Sequence, residues 1–137
     1  AGGREDRDIY SRLIEHLETY GEVLTKQIGN DSLIDLVDRE LSDEEIYKRD
    51  ISWLVDRADV VVGELSVPSH GVGYEVGLVE RYSKPHLFLF RRQNEKRLSS
   101  MISGNRNLLV RGYDDLEDAL FFIDEFMRDF IVLEGLE

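Results

Sequence analysis

The segment Ala58-Asp59-Val60-Val61-Val62-Gly63-Glu64-Leu65 constrains the fold of this chain more than any other. Three consecutive valines show none of the in-and-out alternation of a half-solvated strand, so the run is expected to be buried on both faces of a parallel sheet. Parallel neighbours cannot be joined by a hairpin; they need crossover connections, usually helices. The rest of the chain supplies them. Ile9, Leu13, Ile14, Leu17 and Tyr20 recur at helical spacing over Arg4 to Tyr20, with Gly21 placed to end that helix. Ser42 followed by Glu45 forms a capping box that opens a helix to about Arg57. Further helices are expected over Tyr74 to Tyr82, Glu95 to Ile102, and along the stripe Leu116, Ala119, Leu120, Ile123, Phe126, Met127 and Phe130. Between them Pro85 to Phe90 and Asn107 to Val110 read as strands, and Gly21 to Thr25 as a shorter one. A weak helical pattern runs from the polar stretch Gly29 to Ser32 through Leu41. This alternation defines an α/β three-layer sandwich around a parallel sheet.

The chain has 137 residues, enough for one domain, expected over 1–133 with 134–137 as a tail. It opens on Ala-Gly-Gly-Arg and enters a helix at once, whereas doubly wound folds begin with a strand at the sheet centre. A first strand is therefore expected ahead of Ala1. No apolar run approaches the roughly 20 residues of a membrane helix, and no signal peptide is visible, so a cytoplasmic protein is expected, with the nucleus as an alternative in a eukaryote. With no cysteine and three scattered histidines (His16, His70, His86), no metal site is expected. The net charge of −12 repels the backbone of polymeric nucleic acid, although a small anion can still bind where local backbone donors outweigh the global field. The basic cluster Arg91, Arg92, Lys96 and Arg97 reads as a solvated face, the alternative being a group that offsets phosphate charge.

Two carboxylates stand out. Asp50 shares a helix face with Ile46, Trp53 and Leu54, which puts an acid in an apolar stripe where it needs a partner or a proton. A pair with Arg49 or Arg57 satisfies that need equally well. Glu75 follows the loop Val67 to Gly73, in which Gly71 and Gly73 permit unusual backbone angles and close ligand approach. In the first helical turn it faces the positive end of the macrodipole, which suits a nucleophile but equally a residue that only stabilises the helix start. Ser69 precedes the same helix, where backbone N–H groups can hold a phosphate. The Gly71-x-Gly73 spacing, with Gly77 four residues on, misses the dinucleotide fingerprint.

Taken in order, Gly2-Gly3-Arg4-Glu5-Asp6, Val23-Leu24-Thr25, Asp50-Ile51-Ser52-Trp53-Leu54, Ala58 to Val62, Pro68 to Gly77, Leu89-Phe90-Arg91 and Leu98-Ser99-Ser100-Met101-Ile102 resemble the 2′-deoxynucleoside 5′-phosphate N-hydrolases. These are relatives of the nucleoside 2-deoxyribosyltransferases. The block from Gly71 to Gly77 with its upstream Asp50 is the specific part. The resemblance implies a flavodoxin-like five-stranded domain that forms a homodimer. It implies hydrolysis of the N-glycosidic bond of a small deoxynucleotide, with no cofactor. Glu75 matches the nucleophile and Asp50 the carboxylate that protonates the leaving base. Ser69 matches a phosphate ligand, and Ser99 one contributed by the neighbouring subunit; Gly3, Gly71, Gly73 and Met101 fall in the substrate and phosphate pocket. Two departures accompany it: the first-strand tyrosine and Gly-Ser-Ile-Arg phosphate loop are absent, and Gln27 stands where relatives often have histidine. Alternative activities are deoxyribosyl transfer to a second base and catalytically silent nucleotide binding.

Overall fold

The computed structural model describes residues 4–25, 40–93 and 98–134. Gly3, Gln27, Lys96, Arg97 and nearly all of the weak helical pattern before Leu41 lie outside them. The chain divides into two compact units, Ala1–Ala58 and Asp59–Glu137.

In the first unit, helix α1 (Arg4–Glu18) buries Leu13 and half-buries Ile9, Ile14 and Leu17, following the sequence stripe. Gly21 to Thr25 does not form the expected strand and is bend and turn. A strand persists through ladder partners, and no described segment of this unit pairs with it. Helix α2 (Asp43–Ile51) starts at the reciprocal capping box: the Glu45 N–H donates to Ser42 Oγ at 3.1 Å and the Ser42 N–H to Glu45 Oε1 at 3.1 Å. Acids fill its first turn and Lys48 and Arg49 its last, complementing the macrodipole. It then widens without a break into a π-helical stretch, Ser52–Arg57, closed by the Ala58 N–H donating to the Trp53 carbonyl at 2.8 Å. Such widening inserts one residue per turn and is found often beside functional side chains.

In the second unit, strands β1 (Val61–Glu64), β2 (His86–Arg91) and β3 (Val110–Tyr113) form a parallel sheet in that order. This is the α/β arrangement the alternation predicted. The centre is β2, with Leu87, Phe88 and Leu89 no more than 2% exposed. The valines of 60–62 are only half-buried, because β1 pairs on one side alone among the described residues. Helix α5 (Leu116–Glu134) buries Ala119, Ile123 and Met127, an i, i+4, i+8 stripe, and its Phe122, Phe126 and Phe130 line a cavity together with Leu87 and Leu109. The other face of β2 carries His86, Phe88 and Phe90. Two glycines admit these rings: a Cβ on Gly63 would lie 2.7 Å from Phe88 Cδ1, and one on Gly112 2.9 Å from Phe90 Cζ. Each glycine is the register partner of its ring, Gly63 of Phe88 and Gly112 of Phe90.

Three boundaries differ from the sequence reading. Helix α3 spans His70–Arg81, starting well before Tyr74, because Ser69 caps it and the Gly73 N–H already donates to the Ser69 carbonyl at 3.0 Å. Helix α4 is short, Ser100–Ser103, with Ser99 as its cap. The last strand begins at Val110 instead of Asn107, because Asn105 closes a side-chain turn on the Asn107 N–H at 2.9 Å and the ladder starts only beyond it. Among the described residues no helix is long and apolar enough to cross a membrane.

Candidate functional site

In open parallel sheets ligands bind outside the carboxyl ends of the strands, where chains turn into helices. In this protein β1 leaves its ladder after Leu65, whose N–H donates to the Leu89 carbonyl at 2.8 Å, and reaches the cap of α3 four residues later. Ser69 is exposed; its Oγ accepts the Val72 N–H at 3.4 Å, and the hydroxyl proton is left available to a ligand. Gly71 and Gly73 are helical, so the unusual backbone angles expected of them are not used. What they provide is room. A Cβ on Gly73 would meet nothing within 4 Å, and one on Gly71 only Ser69 Oγ at 3.9 Å. Gly73, inside the helix, costs it about 0.5–1 kcal/mol relative to alanine.

Glu75 is half-buried and is the sixth residue of α3, in its second turn. The macrodipole acts within the first turn, so the expected preference for an ionised Glu75 cannot be credited to it. Ser69, Gly71, Gly73 and Glu75 thus share one short stretch of the second unit. Ser99 and Met101 lie on its separate short helix α4, where Ser99 Oγ accepts the Met101 N–H at 3.2 Å and the Met101 side chain is 83% exposed. Asp50 belongs to the first unit. Its carboxylate accepts from Arg49 Nε at 2.9 Å, and the same guanidinium lies 4.8 Å from the Trp53 ring centre. Of the two arginines open to it from sequence, Arg49 is the neighbour that pairs, while Arg57 meets Glu22 at 3.7 Å. Gly3 lies outside the described residues.

Sequence reasoning missed a second polar cluster. Glu64, Arg91 and Tyr113 each end a strand of the same sheet. The Tyr113 hydroxyl donates to Glu64 Oε2. Ser66 donates to that carboxylate through its N–H (2.5 Å) and hydroxyl (3.0 Å), and Ser66 Oγ accepts the Arg91 N–H at 2.8 Å. Burial, then the hydrogen bond and charge of Glu64, push the Tyr113 phenol well above its ordinary range, so it remains a donor. Arg91 is 9% exposed and so does not belong to the solvated basic face assigned to it; Arg92 does, 3.7 Å from Asp114. The signal available in sequence was a charged residue closing each of the apolar strands β1 and β2.

The model of the nucleoside 2-deoxyribosyltransferase family matches residues 1–113. The chain belongs to that family. Among its curated relatives, a protein of Nematostella vectensis is 43% identical over 128 residues, covering 87% of this chain and 84% of the relative; its name as a 2′-deoxynucleoside 5′-phosphate N-hydrolase is itself provisional. The 5-hydroxymethyl-dUMP N-hydrolase of Rattus norvegicus is 44% identical over 104 residues, covering 75% of this chain and 63% of the relative. That of Tetraodon nigroviridis is 40% identical over 125 residues, covering 87% of each.

Proposed function

We propose that this chain hydrolyses the N-glycosidic bond of deoxynucleoside 5′-monophosphates, giving free base and 2-deoxyribose 5-phosphate. The observation that carries the reading is its similarity, across most of its length, to relatives named as N-hydrolases of such nucleotides. The open, glycine-lined start of α3 beside Glu75 agrees with it.

The Glu75 carboxylate attacks C1′ as the bond from C1′ to the base nitrogen breaks, and Asp50 delivers a proton to the departing base. Water, deprotonated by Asp50, then attacks C1′ and releases Glu75, the two-step course of a retaining glycosidase. One carboxyl group must begin ionised and the other protonated. Asp50 therefore has to exchange its contact with Arg49 for one with the base. Ser69, Gly71, Gly73, Met101 and Gly3 form the substrate and phosphate pocket, with Ser99 supplied by the second subunit of a cytoplasmic homodimer. Phosphate contacts remote from C1′ orient the sugar and supply binding energy that can be used at the reacting centre.

The test is chromatographic detection of free base from dAMP, dGMP, dCMP, dTMP and 5-hydroxymethyl-dUMP. Glu75→Gln is expected to lower kcat by at least about a thousandfold, the scale on which removal of a nucleophile acts. Base release that survives this substitution removes Glu75 from the mechanism. The family description favours a second reading, deoxyribosyl transfer; a second free base in the reaction distinguishes it by yielding an exchanged nucleotide.

A further inference from the structure

Tyr113 and Glu64 lie on strands that are not neighbours. Glu64 shares a register row with Leu89, and Tyr113 shares with Arg91 the row two residues further on, past Phe90 and Gly112, so both project from the same sheet face, the one that α5 covers. The Tyr113 hydroxyl therefore reaches across the end of β2 to the carboxylate on β1. At Ser66, 3% exposed, the hydroxyl donates to Glu64 and accepts from the Arg91 N–H, while the backbone N–H donates to Glu64. An apolar cluster would close these strand ends as well. A satisfied polar network, in contrast, fixes direction as well as proximity. Only Val67 and Pro68 separate Ser66 from Ser69, and proline fixes its own φ. The place of Ser66 is thus handed on to the cap of α3 with little freedom in between.

We propose that Glu64, Ser66 and Tyr113 are positioning residues that set where Ser69 and the start of α3 stand against the 5′-phosphate of the substrate, an inference that rests on the nucleotide reading above. They act on the phosphate end of the site through the Leu65–Ser69 segment and touch no reacting atom.

The experiment uses the full chain with Tyr113→Phe, which removes only the hydroxyl, and Glu64→Gln, which leaves one acceptor oxygen where the carboxylate offers two, so that the Ser66 and Tyr113 donors can no longer all be met as they are. KM is measured with the nucleotide that wild type cleaves best, and the inhibition constant with the matching deoxynucleoside, which lacks the phosphate. Tyr113→Phe is expected to raise KM about tenfold while the deoxynucleoside constant stays within about twofold, the scale of one hydrogen bond to a charged group. Amide exchange should quicken at Ser66, Arg91 and Val72 and stay unchanged in α5. Parallel weakening of nucleotide and deoxynucleoside, or no change in either, overturns the proposal. Should Tyr113→Phe fail to fold, Glu64→Gln must show the same split. If wild type releases no base, the proposed function itself falls; the exchange pattern then decides alone, and unaltered protection at Ser66 and Val72 overturns the positioning role.

Discussion

The two units are held together in different ways. In Ala1–Ala58 the described residues include one buried side chain, Leu13. The capping box, the Glu44–Lys48 pair at 2.9 Å and the Arg49–Asp50 pair are short-range, while the longer-range Glu22–Arg57 pair is loose, at 3.7 Å, and joins two exposed side chains. In Asp59–Glu137 the core is assembled from β2, α3, β3 and α5, and its polar groups bridge residues far apart in sequence, as Tyr113 and Glu64 do. Short-range devices hold a helix as a helix but tie it to little else, so opening there is expected to cost less than opening the sheet.

The largest effect tests the sheet. Leu89 is fully buried at the centre of β2, and Leu89→Ala should lower stability by about 2–5 kcal/mol, read as a displaced urea midpoint. A loss below about 1 kcal/mol would mean that the core relaxes around the cavity, contrary to the close packing of such interiors. Next comes the cap. Ser42→Ala should cost about 1 kcal/mol, with faster amide exchange confined to α2 and its π-helical extension; acceleration spreading into β2 would break the contrast between the units. The smallest effect is acidic. Glu80 is held below the ordinary carboxylate value of 4.5, first by the Asn105 amide and then by that of Asn107. With the folded pKa below the unfolded one, its contribution is fully present above 4.5 and fades as pH falls through the lowered value. The stability gap between wild type and Glu80→Gln should therefore narrow as pH drops below 4.5, and a gap that is flat with pH would refute the assignment.

What could be read beforehand follows the same division. Strong periodicity and chemically specific caps were legible: the α5 stripe, the Ser42–Glu45 box and the apolar strands β1 and β2 emerge near their expected places. Features set by tertiary competition were not. Nothing in Ser52–Arg57 announces a π-helix, and the late start of β3 depends on how Asn105 spends its side chain. Gly71 and Gly73 suggested a loop, yet Ser69 draws both into α3 and moves Glu75 out of the first turn. Arg91 looked like one more surface cation, because burial of a strand's last residue depends on what the adjoining strands place beside it. Glu75, Asp50, Ser69 and Ser99 were singled out by motif, whereas the Glu64–Tyr113 bond needs the strand order before it can be seen.

The glycine–phenylalanine pairings astride β2 restrict the evolutionary routes open to this sheet. While Phe88 keeps its ring, a lineage cannot acquire even a methyl group at position 63, because the two would occupy the same space. The ring must shrink first, leaving an intermediate with a void, before the glycine can change. Divergent sequences should therefore carry paired replacements at 63 and 88 and seldom the solitary change at 63, so this stretch of sheet drifts in steps of two residues.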